Sequence, residues 1–283
     1  LLATNDWAFI RRYQEAICRL VRGVLATDTD GDGIFESPFH GNYMDPKRES
    51  LNWWDDFAFG HKDAYVNLQA YRGLAGMQKV LVLLGLPEEA AAVGSQLGKF
   101  RSAFDATFYN PQTGMYAGWV SRDGRMHDYQ FTFISSMAIN EGLVTGKRAR
   151  KILQKMLKKL EEEGYDYVYG IPGPLVPVAK EDKGSWEEMT RWGRYENGGL
   201  CGQAAYHFIQ ALYNTGMRTE ADKILQQFFR RPGIARLKVQ ELPEGQGVDR
   251  DGHIPARIHP LRRFSRLPAK RGLADEGRCT DRL

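Results

Sequence analysis

The sequence predicts an all-α fold built from helical hairpins. Apolar residues recur every three to four positions over most of residues 1–229, which is the period of an amphipathic helix. Short turns alternate with long loops between the helical segments, so consecutive helices are expected to pair. With 42% hydrophobic and 12% aromatic residues, the chain can also bury one substantial core.

The apolar period defines about seven helices. In the first, Phe9, Tyr13 and Ile17 share one face. The third is predicted to begin at Pro87, because proline suits the first helical position and two acids follow it in the first turn. The predicted helices cover residues 7–25, 61–84, 87–108, 129–141, 147–163, 200–215 and 220–229.

Two long loops interrupt this pattern. They cover 28–59 and 164–197, and loops of this length inside a compact domain are usually functional. The aromatic stretch 115–120 is followed by the turn-forming residues 122–125, which predict a small hairpin. We therefore expect the functional residues to lie in these loops.

The basic charge of the chain is confined to its C-terminal end. Residues 230–283 contain 13 Lys and Arg against 7 Asp and Glu, a balance of +6, which leaves −2 for the rest of a chain whose net charge is +4. This end is rich in Arg, Pro and Gly and has no sustained period, as in disordered sequence. We predict a helical domain over 1–229 and an irregular tail over 230–283.

Several classes of function are disfavoured by the composition. No stripe of Lys and Arg precedes the tail, which argues against a nucleic-acid partner, and no apolar run is long enough to span a membrane. The first residues carry no secretion signal, which favours the cytoplasm. Three cysteines without CxxC spacing predict reduced thiols and no metal centre.

Two tryptophans and two aspartates stand together at positions 53–56. Indole rings stack on the apolar faces of sugars, and a glycosidic oxygen needs a proton donor before it can leave. Asp55 is the candidate general acid, provided that burial against the rings or the charge of Asp56 keeps it protonated. In the alternative interpretation, Asp56 caps the following helix and the tryptophans pack beside it.

The segment 28–36 begins as a calcium-binding loop does. Asp28, Asp30 and Asp32 alternate and Gly33 follows at the sixth position, but Phe39 occupies the twelfth, where a bidentate Glu is needed. A tight turn is therefore preferred to a calcium site. A third interpretation is that Glu36 reaches sugar hydroxyls.

The second long loop ends in another polar group. Glu196 and Asn197 precede Gly198-Gly199, where backbone can approach a ligand closely. Asn197 alone could instead cap the next helix, whose N-terminus would also suit phosphate. Gln130 opens an apolar helix and either points inward or lies in a surface turn.

These residues resemble the six-hairpin glycosidase superfamily over about 7–229. The loop 28–36 with Trp54 and Asp55 is similar to the acid/base region of glucosylceramidase-type β-glucosidases, and residues 195–199 resemble cellobiose and chitobiose phosphorylases. The resemblance implies an α/α toroid, in which helical hairpins ring a central funnel, and here a partial ring. It also implies that Asp55 or Asp56 protonates the leaving oxygen.

The expected function is that of an inverting glycoside hydrolase. Asp55 is assigned as general acid and Glu196 as general base, with about 6.5–9.5 Å between carboxylates to admit water. The expected partner is a carbohydrate, and no cofactor or metal is expected. The remaining predicted substrate contacts are Trp53, Trp54, Asp56, Glu36, Gln130, Trp192 and Asn197.

Two other functions remain open at this point. One is an inverting disaccharide phosphorylase that uses phosphate as nucleophile. The other is an inactive fragment or a carbohydrate-binding helical module, which an incomplete ring favours.

Overall fold

The computed structural model describes residues 6–41, 52–165, 170–183 and 191–230. Most of these residues are helical, as predicted, and three small antiparallel sheets lie between the helices. The α-helices in this part of the chain are α1 (Trp7–Arg12), α2 (Gln14–Leu25), α3 (Ala64–Leu83), α4 (Pro87–Phe108), α5 (Thr132–Asn140), α6 (Gly146–Glu162), α7 (Gly202–Asn214) and α8 (Arg218–Arg230).

The helix boundaries differ from the predicted ones where loops pair with each other. The first predicted helix is divided at Tyr13 into α1 and α2. Helix α3 begins at Ala64 because the Asp63 carboxylate caps it, accepting from the backbone N–H groups of Tyr65 and Val66. Helix α7 begins two residues late because 200–201 form a strand.

The sheets join the segments that precede α3, α5 and α7. One sheet contains β1 (Lys62–Asp63), β4 (Trp119–Val120) and β5 (Met126–His127), where β4 and β5 form the predicted hairpin. The others pair β2 (Tyr109–Asn110) with β3 (Met115–Tyr116), and β6 (Ile171–Pro172) with β7 (Leu200–Cys201).

Helices α3, α5 and α7 pack side by side, and each also contacts the helix that follows it. Helix α5 is central to the packing, and eight of its nine residues are buried. Helix α6 is amphipathic, and its buried residues, Ala149, Ile152, Leu153, Met156 and Leu160, follow the helical period. Since the helices pair as hairpins, the N-termini of α3, α5 and α7 lie at one end with the long loops.

Buried hydroxyls in α5 are satisfied locally. The Thr132 hydroxyl donates to the Pro172 carbonyl over 2.7 Å, and Ser136 donates to the Thr132 carbonyl over 2.6 Å. Ser135 accepts from the Tyr116 backbone N–H over 3.1 Å. Helix α5 can therefore be buried while each of these three hydroxyl groups has a hydrogen-bond partner.

An aromatic cluster fills the core beneath the loops. Trp54 stacks on Phe133 with 4.1 Å between ring centroids and 5° between planes, and it also stacks on Phe57. At the edge of this cluster, Gly41 and Gly60 cross so closely that a Cβ on Gly60 would lie 2.6 Å from the Gly41 nitrogen. The Trp119 indole donates to the Gly41 carbonyl over 2.6 Å and fixes the crossing.

The predicted tail lies outside the described residues, except for Arg230 at the end of α8. Among the residues that are described, none of the helices combines the length and the apolar character that a bilayer crossing requires.

Candidate functional site

The two long loops meet at a group of polar residues that we call the acid cluster: Asp55, Asp56, Tyr195 and Glu196. The Asp56 backbone N–H donates to Glu196 Oε2 over 3.1 Å. The Tyr195 hydroxyl donates to Asp55 Oδ1 over 2.9 Å. Residues that are 140 positions apart in sequence are thus in direct contact, and the structure brings the two predicted catalytic carboxylates into one neighbourhood.

Glu196 is the buried carboxyl of this group, with 6% of the residue exposed. Burial, with the nearby charges of Asp55 and Asp56, raises the pKa of Glu196 to about 9, although backbone N–H groups from the same segment oppose the shift. Glu196 therefore keeps its proton at neutral pH. A carboxyl in this state can donate a proton but cannot accept one.

Asp55 has the opposite environment. It is exposed to solvent, and its identified contact is the Tyr195 hydroxyl. Burial, followed by the hydrogen bond to Asp55, raises the pKa of Tyr195 above its ordinary value, so this hydroxyl stays protonated. The burial that a general acid needs is found at Glu196 and not at Asp55, which is the reverse of the sequence-based assignment.

The two tryptophans beside the aspartates have different surroundings. Trp53 is 69% exposed, so its ring is open to a ligand. Trp54 is fully buried between Phe57 and Phe133, and the backbone of Gly173 lies against its ring. The expectation that Trp54 is a sugar platform is wrong for this structure, because both faces of the indole belong to the core.

Trp192 and Asn197 lie near the same turn. Trp192 is partly exposed and its ring packs over Gly198, where an added Cβ would be 2.8 Å from it. Asn197 is 1% exposed, and its side-chain oxygen accepts from the Val178 backbone N–H over 2.9 Å. Asn197 holds the loop together and does not cap α7, which begins further along the chain at Gly202.

Asp63 was not singled out from the sequence. It is 2% exposed, caps α3 and accepts from the Asn52 amide over 2.7 Å. Burial raises the pKa of Asp63 to about 7 against these hydrogen bonds. Asp63, and not Asp56, is the helix cap in this region. The sequence could have indicated this, because Asp63 directly precedes a segment with helical periodicity.

Glu36 does not lie in the acid cluster. Its side chain is 5% exposed, and Oε2 accepts from the backbone N–H of Thr29 over 2.6 Å and from the Thr29 hydroxyl over 2.7 Å. Its other oxygen lies 3.5 Å from Lys62 Nζ. The expectation that Glu36 binds sugar is therefore wrong here, because both oxygens face the 28–36 loop and its lysine partner.

The carboxylates of that loop form a compact group. One oxygen from each of Asp28, Asp30, Asp32 and Glu36 lies within 4.8 Å of the others, which is a spacing that suits a metal ion. The ammonium of Lys62, however, contacts three of them. We call these four acids the acidic loop.

Gln130 lies in a different groove, of about 310 Å³, whose other lining residues are Gln112, Thr113, Lys155, Lys158, Lys159 and Glu162. No residue of the acid cluster lines this groove. The expected contact between Gln130 and the sugar therefore has no support in the described structure. Its φ of +54° places the residue in the turn before α5.

A buried hydrogen-bond network lies behind the acid cluster. His127 Nδ1 is 2.6 Å from Asp182 Oδ2, and His127 Nε2 is 2.9 Å from Ser121 Oγ. The Asp182 carbonyl accepts from the Ala58 backbone N–H over 3.0 Å. The three side-chain partners belong to residues at most 2% exposed, so the network holds the segment after Asp56 and offers no accessible nucleophile.

Comparison with known proteins gives a likeness of fold. No family model matches the sequence, and no curated protein matches it. Among solved structures, the chain is similar to a GH78 family rhamnosidase of Bacillus sp. GL1, with a TM-score of 0.51 and 18% sequence identity. The match covers 80% of this chain and 19% of the rhamnosidase, so the chain spans about a fifth of that enzyme and has a glycosidase-like fold.

Proposed function

We propose that this chain carries the acid and base of a glycoside hydrolase, with the roles reversed from the sequence-based assignment. Glu196 is the general acid and Asp55 is the general base. The observation that carries the proposal is the burial of Glu196 in contact with the segment that bears Asp55 and Asp56, an environment that raises the pKa of Glu196 to about 9. The glycosidase-like fold supports the same class of reaction.

In the proposed reaction, Glu196 transfers its proton to the glycosidic oxygen while the bond between that oxygen and the anomeric carbon breaks. Water attacks the anomeric carbon from the opposite face and gives a proton to Asp55, which the Tyr195 hydroxyl orients. The product has inverted configuration. Both carboxyl groups recover their starting protonation states when a proton returns from Asp55 to Glu196 through solvent.

The exposed rings beside the acids are the proposed sugar contacts. Trp53 is 69% exposed and Tyr195 is 48% exposed. Trp192 is partly exposed on the same loop as Tyr195. Exposed aromatic rings that flank a carboxyl pair are suited to the apolar face of a pyranose.

We also propose that the helices form part of an α/α toroid of the six-hairpin type. Helices α3, α5 and α7 would be the inner helices, because they pack on one another and α5 is almost entirely buried. Helices α4, α6 and α8 would be the outer ones. In this arrangement the loops before the inner helices would face the funnel together.

A panel of aryl glycosides that includes an α-L-rhamnoside tests the hydrolase proposal. We expect Glu196→Gln to lower kcat by about 10²- to 10⁴-fold, since general acid catalysis contributes that much. The matched control is Glu15→Gln, an exposed residue of α2 paired with Arg19. Full activity of Glu196→Gln on a substrate that the unaltered protein cleaves would refute the assignment.

Two further readouts separate related mechanisms. The anomer first formed, observed by NMR, should be inverted, and a retained anomer would contradict Asp55 as a base. If a sugar 1-phosphate forms only when phosphate is added, the protein is a phosphorylase.

A carbohydrate-binding module is the second candidate. It is favoured by the small share of the rhamnosidase that the chain matches together with the exposed ring of Trp53. In that case no glycoside would be cleaved, and sugars would still change the tryptophan fluorescence. That change should be lost in Trp53→Ala and kept in Glu196→Gln.

A further inference from the structure

The acidic loop surrounds an ammonium group that comes from the chain itself. Lys62 Nζ lies 2.8 Å from Asp30 Oδ2 and 3.5 Å from Glu36 Oε1, and it also donates to Asp32 Oδ2. The lysine side chain is only 11% exposed. One cation thus bridges three carboxylates that are two to six residues apart in sequence.

The loop around Lys62 is held in shape by hydrogen bonds from its own backbone to its own carboxylates. The Gly33 N–H donates to Asp28 Oδ2 over 3.1 Å, and the Ile34 N–H donates to Asp32 Oδ1 over 2.9 Å. Gly33 has a φ of +98°, and a Cβ there would lie 2.9 Å from the Lys99 backbone. The remaining carboxylate oxygens converge on the side where the Lys62 ammonium lies.

The Lys62 ammonium partly balances the negative charge of the loop. Four carboxylates within 4.8 Å repel one another, and the Glu36 side chain is too buried for water to screen it. The hydrogen bond from Lys62 is the main cause that lowers the pKa of Asp30. Although burial lowers the pKa of Lys62, its bonds to Asp30 and Asp32 raise it above its ordinary value, so the ammonium stays charged.

A short chain of contacts leads from Lys62 to the acid cluster. The next residue, Asp63, accepts from the Asn52 amide Nδ2 over 2.7 Å. The Asn52 side-chain oxygen accepts from the Trp54 backbone N–H over 2.6 Å. Trp54 directly precedes Asp55, so the position of Lys62 in the acidic loop helps to fix the start of the catalytic segment.

We propose that Lys62 is a positioning residue that serves as a permanent internal cation in the acidic loop, where a calcium ion would otherwise be needed. Its ammonium ties the 28–36 loop to β1 and, through Asp63 and Asn52, orients the segment that bears Asp55. The positioning role rests on the proposed function, while the charge role does not.

The charge role is tested by thermal unfolding of the whole chain with EDTA and with about 5 mM CaCl₂, a concentration above the dissociation constants of weak calcium loops. The unaltered protein should unfold at the same temperature in both. Lys62→Ala removes the ammonium and leaves its space, so in EDTA it should unfold about 5–10 °C lower and recover at least half of the loss in calcium. The control is Lys151→Ala, an exposed position on α6.

Two results would overturn the charge role. One is an unfolding temperature of Lys62→Ala in EDTA equal to that of the unaltered protein. The other is a calcium-induced rise in the unaltered protein as large as that in the variant, which would mean that calcium displaces the lysine.

A second variant covers the case in which Lys62→Ala does not fold. In Lys62→Ala combined with Asp30→Asn and Asp32→Asn, only Asp28 and Glu36 of the four acids remain. The two removed charges outnumber the one lysine that is lost, so this loop is less negative than that of the unaltered protein. This triple variant should fold without calcium and should not respond to it. If it also failed to fold, the cost would lie in packing and the proposal would be wrong.

The positioning role is tested by kinetics on a substrate that the unaltered protein cleaves. In EDTA, Lys62→Ala should lose at least tenfold in kcat with little change in KM, and calcium should restore kcat. A kcat that stays low in calcium while the unfolding temperature recovers would refute the positioning role. Failure of the proposed function would appear separately, as full activity of Glu196→Gln, and would leave the thermal result standing.

Discussion

The acid cluster and the acidic loop are both groups of carboxyls, yet their surroundings shift carboxyl pKa values in opposite directions. In the acidic loop, Asp30 and Asp32 are matched by the Lys62 ammonium, and the pKa of Asp30 is lowered. In the acid cluster, burial raises the pKa of Glu196 to about 9, so this carboxyl is neutral. The first group therefore consists of carboxylates paired with a cation, whereas the second contains a neutral carboxyl.

Burial and the nearest cation distinguish the two groups of acids more clearly than sequence spacing does. Both groups occur in long loops next to glycines and aromatic residues, and both were candidates from the sequence. A cation within hydrogen-bond distance keeps a carboxylate ionised, while burial near other carboxyls keeps a carboxyl protonated at neutral pH.

The largest effect is expected from matched Asp→Asn changes in the two groups. Asp55→Asn should lower kcat by about 10²- to 10⁴-fold with little change in unfolding temperature, because Asp55 is exposed. Asp32→Asn should do the reverse, lowering the unfolding temperature with a far smaller loss of kcat. Steady-state kinetics and calorimetry on both variants measure this, and equal kcat losses would remove the distinction.

The next effect is a pH dependence that arises from Glu196. Its pKa is raised from 4.5 to about 9, so its contribution to stability is fully present below about 4.5 and is lost as the pH rises through about 9. The unfolding temperature should fall by up to about 3 °C per pH unit in this window. Glu196→Gln should flatten the curve, and a slope unchanged in this variant would contradict the buried proton.

A smaller loss of stability is expected from Glu36→Gln. The change removes the charge that faces Lys62 and keeps one oxygen for the two bonds from Thr29. We expect a loss of about 1–3 kcal/mol in the free energy of unfolding, measured with urea. Glu15→Gln should lower the free energy of unfolding by less than about 0.5 kcal/mol. A similar loss in both variants would show that Glu36 stabilises the protein no more than an exposed surface carboxylate does.

The smallest effect is expected from Tyr195→Phe. This change deletes the hydroxyl that donates to Asp55 over 2.9 Å and leaves the exposed ring in place. We expect kcat/KM to fall by about 3- to 10-fold, which corresponds to about 0.5–1.5 kcal/mol for one hydrogen bond. The loss should appear in kcat. A loss confined to KM would instead indicate that the hydroxyl binds the sugar.

Helix periodicity carried most of the fold prediction. The start of α4 at Pro87 and its end at Phe108 were predicted as observed, because a proline and a turn mark them locally. The starts of α3 and α7 were not, because they depend on pairing of β1 with β4 and of β6 with β7. Such pairing joins distant segments and leaves little trace in a local pattern.

The candidate site was also predicted only in part, because local sequence patterns do not show which distant residues pack together. The neighbouring residues of positions 53–56 and 195–197 indicated which loops matter, and these loops do meet. Burial distinguishes Trp53 from Trp54 and Glu196 from Asp55, and it depends on packing against α5 and other distant residues. Lys62 gave no signal, since its acidic partners lie about thirty positions earlier. The proposed catalytic assignment stays a prediction.

The crossing of Gly41 and Gly60 limits how this protein could be engineered. Because the two backbones touch with no room for a side chain, a saturation library at positions 41 and 60 should return glycine at both. Randomisation at the exposed position 53 meets no such barrier. If the proposed function is correct, a laboratory search for altered sugar preference should therefore draw its diversity from position 53 and keep the glycine crossing constant.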